Sequence, residues 1–175
     1  MRHSDTYKKF FEAKFFLCKL EEADKDEEDI SKYLMGGYTP IYYYASAFLA
    51  AFRSITFIMQ KEFHDSDGFG EWYKVKQEIL TKDEKLKRIV EERDSTIHEK
   101  PVKTTAVIHI HQNSPDPNDF EIRDIHHSFD KDNPMESIND QFRYAIEKIT
   151  PIVEECEAKF FKDDGHIGKL TISYL

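Results

Sequence analysis

The amino-acid sequence predicts a mainly α-helical fold in a single domain, residues 1–175, with a small β-hairpin inserted over 104–130. Three observations predict it. Glycine and proline number only six each, apolar residues recur every three or four positions over long stretches, and late in the chain the period drops to two. A chain of 175 residues can bury a core without staples, and 14 Phe and 9 Tyr supply a packed interior or an interface.

A first helix is expected from Ser4 or Asp5, carrying Tyr7, Phe11, Phe15 and Cys18 on one face, before the acidic run Glu21 to Asp29 ends it in a solvated loop. Gly36, Gly37 and Pro40 punctuate the chain ahead of a long second helix, YYYASAFLAAFRSITFIMQKEF. Its stripe Phe48, Phe52, Ile55 and Met59 marks it as the central helix. The consecutive Tyr42, Tyr43 and Tyr44 point in three directions, which suits packing at a helix start better than base stacking. After a polar break from His64 to Gly70, Trp72, Val75 and Ile79 mark a third helix.

A fourth helix opens on Thr81-Lys82-Asp83-Glu84, which fits a capping box, and should run to His98 or Lys100, where Pro101 stops it. TTAVIHIHQ and FEIRDIHHSF then alternate as two strands, joined by a loop, SPDPND, too long for a two-residue turn. Asn133 as cap, Pro134 at the first helical position and Glu136 completing a box open the last helix. Its face is Met135, Ile138, Phe142, Ala145, Ile149, Ile152, Cys156 and Phe160, and the period continues past Pro151, which should kink the helix without ending it. The tail GHIGKLTISYL is expected to dock or add a short strand.

The totals bound the function. A net charge of −9 excludes a broad nonspecific nucleic-acid surface, so any such site must be local or completed by a partner. Cys18 and Cys156 stand far apart without CxxC spacing, as expected of reduced, structural thiols. Lys8, Lys9, Glu12 and Lys14 interrupt the apolar N-terminal stretch, and no later stretch is expected to span a membrane. A cytoplasmic protein without membrane contact is the expectation.

One position breaks the pattern. In RIVEERDSTIHEKPVK, residues 88–103, Arg93 occupies the face that Leu86, Ile89, Val90 and Ile97 make apolar. A guanidinium there must meet an acid, snorkel to water or face a site. His98 lies five residues on, about 140° around the axis, so one regular helix cannot bring both to one face. Two copies of the helix, or an unwound end, can. Asp94 stands four residues before His98, where a carboxylate orients an imidazole or favours its protonated form. Histidine to move a proton and arginine to stabilise phosphoryl oxygens form a kit for phosphodiester chemistry.

RDSTIH, an Arg-x4-His at the end of a late bundle helix and followed by Glu99, resembles the signature of HEPN domains. So does its context, FLAAFRSITFIMQKEF and then EWY, so that the likeness covers roughly residues 5 to 100 and the closing helix from Asn133. The resemblance implies an up-and-down helical bundle that dimerises so that two motifs share a cleft. It also implies a metal-independent endoribonuclease of toxin, defence or RNA-processing type. Arg93 would stabilise the scissile phosphate, His98 act as acid or base and Asp94 orient it, with the ribose 2′-hydroxyl as nucleophile. Arg53, on a polar strip with Thr56 and Gln60, and Lys100 are the candidates for substrate binding. A bundle salt bridge or plain exposure is the competing expectation for Arg53, and an interhelix salt bridge for Arg93. The hairpin departs from the simple family bundle.

From Lys82 to Lys103 seven basic residues (Lys82, Lys85, Lys87, Arg88, Arg93, Lys100, Lys103) meet six acids (Asp83, Glu84, Glu91, Glu92, Asp94, Glu99), which leaves room for a local RNA site only. The hairpin histidines, His109 and His111 on one strand, His126 and His127 on the other, can be drawn as a metal site. Their spacing is nonspecific and no cysteine joins them, so exposed strand histidines, no metal and no cofactor are expected. The competing functions are a noncatalytic dimerisation module, holding a partner such as a nucleotidyltransferase antitoxin, and a nucleotide-binding bundle.

Overall fold

The computed structural model describes residues 3–25, 40–98, 105–116, 119–128 and 135–162, of which 25, 92–98, 105 and 122–124 are described by backbone alone. Among these residues the chain forms helices α1 (Asp5–Lys25), α2 (Pro40–Phe63), α3 (Phe69–Lys82), α4 (Glu84–His98) and α5 (Ile138–Phe160). A two-stranded antiparallel sheet, β1 (Thr105–Gln112) and β2 (Phe120–Ser128), stands between α4 and α5. The fold is mainly helical, as predicted.

Helix α1 starts where expected. The Ser4 hydroxyl accepts from Tyr7 N–H at 3.0 Å, and the Glu62 carboxylate of α2 accepts from the N–H groups of Asp5 and Thr6 at 2.8 Å. The expected face is wrong, however. Phe10, Ala13, Leu17 and Leu20 are buried, whereas Phe11 and Phe15 are 48% and 54% exposed and Cys18 is at the surface. Paired aromatics at 10–11 and 15–16 offer two stripes one residue apart. The stripe with small Ala13 and the two leucines is the one that packs along α2.

Helix α2 carries the predicted stripe, with Phe48, Phe52, Ile55 and Met59 all buried. It is also long and apolar enough to cross a membrane by length and composition, contrary to expectation. Its buried positions, Ile41 to Phe63, join the bundle core, where Phe48 stacks on Phe142 of α5 with ring centroids 3.9 Å apart, while Tyr43 and Phe57 are exposed. Truncating Phe48 would open a cavity in this core.

Gly68, at φ +75°, turns the chain into α3. There Phe69 and Tyr73 are buried, while Val75 and Ile79, predicted to mark the inner face, are 58% and 57% exposed. The aromatic cluster of Phe63, Phe69, Trp72 and Phe160 sets the rotation of the helix, because two β-branched aliphatics bury less surface than these rings.

The α4 cap also differs from expectation. Thr81 donates back to the Gln77 carbonyl at 2.9 Å and so closes α3. Asp83 Oδ1 accepts from the N–H groups of Lys85 and Leu86, both at 3.1 Å, and caps α4. At α5 the cap is Ser137, whose hydroxyl accepts from Asp140 N–H at 3.1 Å. The predicted opening residues Asn133 and Pro134 lie outside the described residues, and Met135 is 67% exposed. From Ile138 to Cys156 the predicted face is buried, and the helix passes through Pro151 without ending. The acidic run beyond Lys25, Lys100, Pro101 and the tail from 163 lie outside the described residues.

The hairpin forms as predicted, with Val107 opposite His126 and Thr105 opposite Ser128, and a register shift between His109 and Ile110. The inner end of β2 packs against α5.

Candidate functional site

Helix α4 is fastened at its start. Besides capping, Asp83 accepts the Tyr144 hydroxyl of α5 at 2.8 Å, and Lys85 pairs with Glu136 at 2.7 Å. Burial works against ionisation of Asp83, but the Tyr144 hydroxyl and the Leu86 and Lys85 N–H groups hold its carboxyl below the usual range. Leu86 and Ile89 are buried and Val90 is half-buried. Position 93 is the next on that face by the helical repeat. The backbone stays α-helical to His98, which removes the unwound end as a route to bring residues 93 and 98 together. About 140° still separates the two positions around the axis. The side chains of Arg93, Asp94 and His98 lie outside the description, as does all of Lys100.

The same face of α4 borders a cleft of about 400 Å³ closed by α2 and α3, with Ile149 of α5 at its base. Leu86, Lys87, Val90 and Glu91 form the α4 wall, and Phe52, Arg53 and Thr56 the α2 wall. Arg53 therefore faces the cleft, on the helix face where α4 leads toward Arg93. Its guanidinium lies over the Phe57 ring, 4.3 Å from the centroid, and its Nε is buried with no hydrogen-bond partner among the described residues. Among the described residues Arg53 forms no bundle salt bridge. Among the described lining residues two cations, Arg53 and Lys87, meet one acid, Glu91, a locally positive balance in an acidic protein.

From α3, Tyr73 and Gln77 complete the wall. The Tyr73 hydroxyl accepts from Gln60 Nε2 at 3.1 Å, and burial raises its pKa against the opposing effects of Thr56 and the Arg53 charge. Sequence reasoning missed Phe57, Tyr73 and Gln77. Only the Arg53–Phe57 spacing of four residues signalled a stacked guanidinium.

The hairpin histidines divide. His126 and His127 are 8% and 3% exposed, contrary to expectation, because the end of β2 is inserted against the helices; His111 is exposed. His127 meets Tyr42 edge to face at 6.1 Å, and His109 and His126 meet ring to ring. Tyr43 is exposed beside half-buried Tyr42 and Tyr44, as three consecutive helical residues must diverge.

No protein-family model, curated protein or solved structure matches this chain.

Proposed function

We propose that this protein is a HEPN-like, metal-independent endoribonuclease of toxin, defence or RNA-processing type, with an up-and-down bundle that dimerises to assemble its site from Arg93 and His98. The observation that carries the reading is the cleft beside α4, where Arg53 is held against Phe57 with its Nε buried and unmatched among the described residues. A buried guanidinium N–H calls for an anionic or acceptor partner, and a phosphodiester supplies one. Continuous helix to His98 supports the dimer, since one copy aims positions 93 and 98 apart.

In this reading the 2′-hydroxyl attacks the adjacent phosphorus while His98 takes or gives the proton and Asp94 orients the imidazole. The P–O5′ bond breaks, its oxygen is protonated, and a 2′,3′-cyclic phosphate and a 5′-hydroxyl remain. Arg93 stabilises charge on the phosphoryl oxygens, and Arg53 and Lys100 hold flanking phosphates. Phe57, 52% exposed beside Arg53, is the kind of side chain a second copy would cover.

The test is RNA cleavage by purified protein in the presence of a chelator. Arg93→Ala and His98→Ala should each lower the rate by about 100-fold or more with unchanged helicity and oligomeric state. Parent-like cleavage by both variants would end the catalytic reading.

Exposed Phe11, Phe15, Val75 and Ile79 favour a second reading, a noncatalytic module that binds a copy of itself or an antitoxin or nucleotidyltransferase partner. It predicts no cleavage by any variant and a stable complex with that partner.

A further inference from the structure

His109 of β1 and His126 of β2 are diagonal neighbours on one face of the hairpin, since His126 pairs with Val107. Their rings stack at 5.1 Å between centroids, and His109 Nε2 lies 3.3 Å from His126 Nδ1. Two imidazole nitrogens about 2.05 Å from one tetrahedral zinc ion are about 3.3 Å apart. The pair is therefore spaced for chelation as well as for a mutual hydrogen bond.

The surroundings suit a cation. Both histidines line a cleft of about 440 Å³ between the hairpin, the end of α1 and the start of α5, together with Asp24, Asp140 and Arg143. Arg143 is already neutralised by Glu21 at 2.6 Å and Asp140 at 2.7 Å. Asp24 accepts from the neutral amide of Asn139 at 2.7 Å, and its other oxygen lies 4.0 Å from His127 Nδ1. Among the described residues three carboxylates thus stand against one guanidinium around two imidazoles, one of them buried.

We propose that His109 and His126 form a site for a borderline divalent transition-metal ion such as zinc, with Asp24 supplying charge at the same cleft and water filling the open positions. Among the described residues no set of three donors closes around the ion, so the site is open and exchangeable, unlike a closed structural zinc site. It lies on the hairpin and does not rest on the ribonuclease reading.

The test is calorimetric titration of zinc into the full, tag-free chain and into His109→Gln and His126→Ala. Glutamine keeps an amide able to hydrogen-bond His126, so a purely structural histidine pair would tolerate it. The expected result is a one-site isotherm for the parent that is lost in both variants, with unchanged circular dichroism. No zinc uptake by the parent, or the same isotherm in His109→Gln, would overturn the proposal.

Discussion

At the scale of single residues, Glu155 gathers three donors on one carboxylate. Lys159, Lys76 and the Trp72 indole N–H all donate to it, and together they hold its pKa down to about 2. A carboxylate depressed in the folded state adds stability above its unfolded value near 4.5 and loses it as the pH falls toward about 2. Glu155→Gln should therefore cost about 1 kcal/mol near neutral pH, modest because the group is partly exposed. The gap from the parent should close through that acid window in urea titrations followed by Trp72 fluorescence. A gap that stays constant from neutral pH to pH 2 would contradict this assignment. Cys156 is the opposite case, since burial first, and then the Glu157 and Glu62 charges, push its thiol up to about 12 and make it inert. That agrees with the structural role expected from its spacing.

At the scale of elements, the start of α4 gives a sharp contrast. Asp83 caps the helix and holds the Tyr144 hydroxyl, whereas Thr81 only bonds back within α3. Asp83→Ala should destabilise by about 1–2 kcal/mol and Thr81→Ala by well under that, read from urea midpoints at constant m. The reverse order would restore the capping box that the sequence suggested. The same pair shows what was legible. Helix and strand identities followed from period, because core formation needs it, and the α2 stripe and the face from Ile138 to Cys156 were readable for that reason. Which of two neighbouring stripes faces inward was not. In α1, Phe10 and Phe11 are equally apolar, and only contact with α2 selects Phe10. In α3 the choice was made by rings from α2 and α5, which no local pattern encodes. Caps slipped by two residues at α4 and by four at α5, where several cap-forming residues compete within one loop.

At the scale of the whole molecule, an acidic chain carries, among its described residues, a cleft with a positive balance of charge beside the helix that bears Arg93 and His98. The oddity of an arginine in an apolar stripe was visible in the sequence, since periodicity alone reveals it. The cleft was not, because Arg53, Tyr73 and Lys87 come from three helices and meet only in the fold. The central claim is that the site is shared between two copies, Arg93 from one and His98 from the other. Mixing Arg93→Ala with His98→Ala protein tests it most directly, because a mixed dimer then contains one intact pair and one doubly disabled pair. After subunit exchange, the account predicts RNA cleavage by the mixture at up to about a quarter of the parent rate, as half the dimers carry one site of two. A mixture no more active than either variant alone, beside an active parent, would contradict it.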